Sequence, residues 1–166
     1  MFTKNCFIQK CNKTLINKLI ELGYKPIGNI NYNTYGIYCH NGKFKTCSTN
    51  EQPSIKNKNF IQCYNNEELF LALAALRDDS DYMQWFVCPK TRMRIIPGFF
   101  GQVIGMDGHY QEIVGYEWYR YENKDNLLTE RINKMSQMEG EEVELLPHKA
   151  TLEELIEHFN IKNNEE

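Results

Sequence analysis

Residues 65–87 read NNEELFLALAALRDDSDYMQWFV, and this stretch decides how the rest of the chain must fold. Asn65 can act as an N-cap, and Glu68, three residues on, can answer the free backbone N–H groups of a first helical turn. Leu69, Phe70, Leu73 and Leu76 mark one face, while Leu71, Ala72, Ala74 and Ala75 leave almost no polar side. A helix apolar nearly all round belongs inside a domain. Glu67 and Glu68 at its start and Arg77 at its end suit the helix dipole. An acidic turn of Asp78, Asp79, Ser80 and Asp81 comes next, followed by a strand over 83–88. The stretch describes a fold nucleus and no reaction.

Upstream, 6–10 reads as a first strand. Asn12 caps a helix whose stripe is Leu15, Ile16, Leu19 and Leu22, with Gly23 at the usual left-handed stop and Pro26 beyond it. Asn41-Gly42 between 37–40 and 43–47 is a strong hairpin signal. Residues 48–59, with Pro53 among them, read as a loop, and 60–64 as a strand feeding the central helix. The order strand, helix, hairpin, strand, helix, strand predicts an α+β fold, a mostly antiparallel sheet with two core helices.

Downstream the character changes. Pro89, Pro97, Gly98, Gly101, Gly105, Gly108 and Gly115 punctuate short apolar runs, and 89–123 reads as a β-rich insertion in a single domain spanning 1–166. Asp107-Gly108 predicts a second hairpin, joining 102–106 to 109–114. A helix over 126–138 carries Leu128, Ile132 and Met135, and 143–146 is a candidate last strand. Thr151 and Glu154 form a capping box that opens a final helix with Leu152, Leu155, Ile156 and Phe159 inward. The tail from Asn160 is polar and expected to fray.

Composition removes several classes of function. With 166 residues, 42% hydrophobic and 13% aromatic, the chain can bury a real core. A formal net charge of −3 provides no basic field for duplex nucleic acid. The longest apolar run, about eight residues, falls short of the roughly 20 that span a bilayer. No signal-peptide h-region opens the sequence, so the expected location is the cytoplasm, that of the host cell if the protein is phage-encoded. Six cysteines without C-x-x-C spacing suggest free thiols rather than a disulfide framework.

Each chemical candidate meets a plainer reading. Asp78, Asp79 and Asp81 lack the spacing and terminal Glu of a calcium loop and read as a cap plus solvated charge. Cys39 and His40 are strand neighbours pointing to opposite faces, so a thiolate–imidazole pair would need His109, His148 or His158 from elsewhere. The glycines from Gly98 to Gly108 are followed by no G-K-[ST], which rules out a P-loop. No catalytic residue, cofactor or metal site is assigned. The best surface candidate is Tyr116, Trp118, Tyr119, Arg120 and Tyr121. Strand alternation places Tyr116 and Trp118 on one face and Tyr119 and Tyr121 on the other, and aromatics with Arg dominate interface hot spots. A strand buried on both sides is the competing account of the same residues. Arg92, Arg94 and His109 provide a nucleotide-binding alternative, since Arg suits bidentate phosphate contacts.

NEELFLALAALRDDSDYMQWFV (66–87), HKATLEELIEHF (148–159) and KLIELGY (18–24) resemble stretches of short uncharacterised accessory proteins of gut-bacterial phages and prophages. The resemblance covers the first half and the last helix, and 89–146 have no counterpart in it. That group carries no assigned catalytic residues. The resemblance implies a protein that acts by binding a host or phage protein, in a counter-defence role. A nucleotide-binding or nucleotide-hydrolysing protein and a minor virion component are the alternatives.

Overall fold

The computed structural model describes residues 2–51, 60–96, 99–100, 103–104, 108–124, 128–139 and 146–164. The fold is α+β. Two compact units are built from it: Met1–Gln84 with Glu122–Asn126 and Ala150–Glu166, and Trp85–Tyr121 with Leu127–Lys149.

The first unit holds a five-stranded sheet, ordered β2-β4-β3-β1-β5, from β1 (Cys6–Ile8), β2 (Lys25–Pro26), β3 (Gly36–His40), β4 (Lys43–Cys47) and β5 (Ile61–Gln62). The longer pairings, β1 with β3 and β3 with β4, are antiparallel; β2 and β5 add two-residue parallel edges. Asn41 (φ 51°) and Gly42 (φ 76°) supply the two left-handed residues that a tight hairpin requires. At Gly36 a side chain has no room, because a Cβ there would collide with the Ile8 carbonyl oxygen and approach the Phe7 ring to 2.9 Å.

Helix α1 (Lys13–Leu22) starts at Asn12, whose side chain accepts from the Leu15 amide, and stops at left-handed Gly23. Its stripe of Leu15, Ile16, Leu19 and Leu22 is buried. The central helix α2 (Glu67–Ala74) is capped by Asn66 and not by Asn65. Asn65 is exposed, whereas Asn66 is buried with its Oδ1 accepting from the Leu69 amide at 3.1 Å. The helix also ends at Ala74, short of Arg77. Arg77 instead pairs with Asp79 and lies over the Phe2 ring. The burial expected of α2 is present, with Leu69, Phe70, Leu73 and Ala74 at 2% exposure or less.

Several side chains tie the ends of α2. Asn66 Nδ2 donates to the Phe159 carbonyl in the last helix, α4 (Leu152–Asn164). The Tyr24 hydroxyl donates to the Ala74 carbonyl at 2.7 Å, and the Thr3 amide donates to Leu76. Gln84 Nε2 donates to the Ala75 carbonyl. The capping box of α4 forms in both directions, Thr151 N to Glu154 Oε1 and Glu154 N to Thr151 Oγ1.

The strand expected over 83–88 does not join this sheet. It begins at Gln84, runs to Ile96 as β6, and becomes the middle strand of a second sheet ordered β10-β6-β9. Its partners are β9 (Gly108–Tyr121) and β10 (His148–Lys149). The short strands β7 (Phe99–Phe100) and β8 (Val103–Ile104) pair with each other. Val103–Ile104 thus joins β7, and the hairpin expected to pair 102–106 with 109–114 is replaced by a β6–β9 pairing; Asp107 lies outside the described residues. Helix α3 (Leu128–Glu139) completes the second unit. The last strand forms at His148–Lys149, and 143–145 lie outside the described residues.

Candidate functional site

Strands β6 and β9 are 13 and 14 residues long, well beyond the usual five or six. One face of their lower half is filled. Phe86 is fully buried, with the Tyr119 ring stacked on it at 5.9 Å and the Tyr121 ring edge-on at 6.2 Å. Burial pushes the Tyr119 hydroxyl up to about 12 and also raises the neighbouring Cys88 thiol. Tyr121 is only 8% exposed, and its hydroxyl accepts from Arg131 of α3. Lys90–Glu117 and Arg92–Glu112 ion pairs lie farther along the two strands.

Elsewhere on the two strands large apolar side chains meet water. Tyr116 is 58% exposed, Val114 52% and, on β6, Met93 57%. Trp118 is half-buried, and the Arg120 guanidinium lies 5.9 Å from the Trp85 ring centre, a cation–π arrangement. The five aromatic and arginine residues of 116–121 therefore divide. Tyr119 and Tyr121 belong to the packing around Phe86, while Tyr116, Trp118 and Arg120 belong to the open side. Sequence reasoning missed Met93 and Val114, although Val114 stands two residues before Tyr116, where strand alternation repeats the same face.

Of the nucleotide alternative, the described residues hold only the Arg92 side chain. Arg92 Nε donates to Glu112 at 3.1 Å. The side chains of Arg94 and His109 lie outside the described residues.

The thiols read as core. Cys6 and Cys39 face each other across β1 and β3 and are fully buried. The hydrogen bond between them, together with burial, holds Cys6 well above the ordinary thiol value. Burial likewise raises Cys63, and it pushes Cys47 up to about 11. Nucleophilic thiols are those whose value is lowered, the opposite of the direction here. His40 packs beside Phe60 and Asn41, apart from its neighbour Cys39. In the acidic turn Asp79 is held below the usual carboxylate range by two hydrogen bonds from Arg77. Among the described residues no group of three or more His, Cys, Asp or Glu could hold a metal ion. All six cysteines are free thiols.

No helix among the described residues is long and apolar enough to cross a membrane. No protein-family model matches the chain, and neither a curated protein nor a solved structure matches it.

Proposed function

We propose that this chain is a small binding protein of phage or prophage origin whose target is another protein, of host or phage, with counter-defence as its context. The observation that supports a binding role is the open face of β6 and β9. Tyr116 carries a large ring more than half exposed, Val114 on the same strand and Met93 on β6 are exposed as well, and Trp118 and Arg120 stand on the same run of β9. Tyr, Trp and Arg are the residues that most often dominate binding energy when a partner covers them. The phage context is supported by the sequence resemblance alone.

The test is affinity capture from host lysate with the wild type, a Tyr116→Ala/Trp118→Ala variant and a Tyr32→Ala control. Tyr32 is also exposed, at 45%, but belongs to the first unit. The reading expects a stoichiometric protein retained by wild type and control and lost from the double variant. Equal recovery by all three, or no recovery by any, contradicts it. The nucleotide reading has one check of its own: a saturable rise in melting temperature with mono-, di- or cyclic nucleotides would favour it.

A further inference from the structure

Strand β9 is the outer strand of its sheet among the described residues. At 14 residues it offers an edge of about 45 Å. Proteins usually keep such edges short or blunt them, because unpaired N–H and C=O groups recruit another strand. The middle of this one carries no proline, and Val114 and Tyr116 there are exposed.

The sequence of β9 is complementary to itself when reversed. We infer that two copies of this chain pair antiparallel along β9, about a two-fold axis at Tyr116 that is perpendicular to the sheet. Such an axis keeps the open face on the same side in both copies. Residues facing each other across it are Glu112 with Arg120, Val114 with Trp118, and Tyr116 with its own counterpart. Opposite charges and aromatic–aliphatic pairs directly across antiparallel strands are both stabilising. The symmetry repeats every pair twice.

The register is specific. Centring the axis on Gly115 sets Glu112 against Trp118 and leaves Arg120 opposite Tyr110. Centring it on Glu117 sets that carboxylate against its own copy. Only the Tyr116 centre among these brings both charges to opposite partners. The Arg92–Glu112 pair within one chain leaves the carboxylate on the same strand, where a carboxylate can accept from two guanidinium groups at once. Pairing would join the two three-stranded sheets into one six-stranded sheet and double the open aromatic face.

This inference concerns the backbone edge of β9 and does not depend on a foreign partner. The mass of the purified full-length chain, by light scattering across micromolar to submillimolar concentrations, should approach twice that of one chain. Glu112→Arg and Arg120→Glu each turn two attractions into two repulsions, and each should raise the dimer dissociation constant about tenfold. The combined Glu112→Arg/Arg120→Glu variant should restore it. Tyr116→Cys, treated with diamide, should cross-link to its own counterpart, because directly opposed residues lie within disulfide reach. Peptide mapping identifies that link without relying on the charge variants being folded. A wild-type chain monomeric at every concentration overturns the inference, as do single reversals without effect, a double reversal that fails to restore while its circular dichroism matches wild type, or cross-links only to other cysteines. Loss of a captured partner in Tyr116→Ala, with the mass unchanged, would bear on the binding proposal alone.

Discussion

In the first unit Phe7, Phe44 and Phe70 are fully buried among helices and strands of two to five residues, whereas in the second Met93, Val114 and Tyr116 stand more than half exposed on strands of 13 and 14. The two units also differ, among the described residues, in the helices that accompany each sheet. Among the described residues three α-helices accompany the five short strands of the first unit, and the stripes Leu15–Ile16–Leu19 and Leu69–Phe70–Leu73 are buried together with the sheet residues Phe7, Ile8 and Ile37. Among the described residues the second unit has one helix, α3, beside its three-stranded sheet. Phe86, Tyr119 and Tyr121 pack together on one face, while Val114, Tyr116 and Met93 are exposed. A chain that places tyrosine, valine and methionine on a wet face leaves apolar surface available to something else.

The sharpest test of that contrast is a pair of aromatic truncations. Phe70→Ala removes a fully buried ring from the contact region of α2 and should cost about 3–5 kcal/mol. Tyr116→Ala removes a ring of comparable size from the open face and should change stability by no more than about 0.5 kcal/mol. Urea midpoints of the two variants give the comparison directly. A Tyr116→Ala variant as unstable as Phe70→Ala would mean that the open face is core, and the binding proposal would lose its basis.

A smaller effect should come from the buried polar clamp at the start of α2. Asn66 uses its oxygen to cap the helix and its amide nitrogen to hold the Phe159 carbonyl of α4. Asn66→Ala removes both bonds and should cost about 1–3 kcal/mol. Asn66→Asp keeps the capping oxygen but turns a carboxylate oxygen toward the Phe159 carbonyl. If the tie to α4 contributes as the geometry indicates, Asp should be no better than Ala in a thermal melt. An aspartate variant as stable as the wild type would assign the whole effect to the cap.

The parts that could be read from the residues are those governed by neighbours in the chain. Asn12, Gly23, Asn41-Gly42 and the Thr151–Glu154 box act within a few residues of themselves, and each forms as local chemistry dictates. Two asparagines stand together at the start of α2, and the one that caps it, Asn66, is also tied to the Phe159 carbonyl 93 residues away. Pairing partners were harder. Nothing local in 83–88 tells a strand to leave the first sheet, and Gln84 begins β6 at the boundary between the units. The Asp107-Gly108 signal named a turn, yet turn chemistry does not say which distant strand β9 will take, and it took β6. At the candidate site, alternation along 116–121 could be read, but which of the two faces would be covered depended on Phe86 and Arg131 arriving from elsewhere.

The smallest expected effect lies at the entrance of α2 and depends on pH. Glu67 accepts from Lys10 Nζ at 2.8 Å and from Asn12 Nδ2 at 3.2 Å, and the Lys10 bond is the main reason its carboxyl lies below the ordinary 4.5. A carboxyl whose folded value is depressed favours the folded state once ionised. That contribution is complete above the ordinary value and fades as the pH falls toward and through the lower folded value. Both side chains are partly exposed, 47% for Lys10 and 35% for Glu67, so solvent screening keeps the contribution below about 1 kcal/mol. Glu67→Gln should therefore lower the melting temperature slightly at neutral pH and converge on the wild type in acid. A gap that persists unchanged below the folded value would mean that Glu67 acts by packing or by its hydrogen bond to Asn12. In that case the first unit would owe its closure at this corner to shape, as it does at Phe70, and charge would matter chiefly on the open strands of the second.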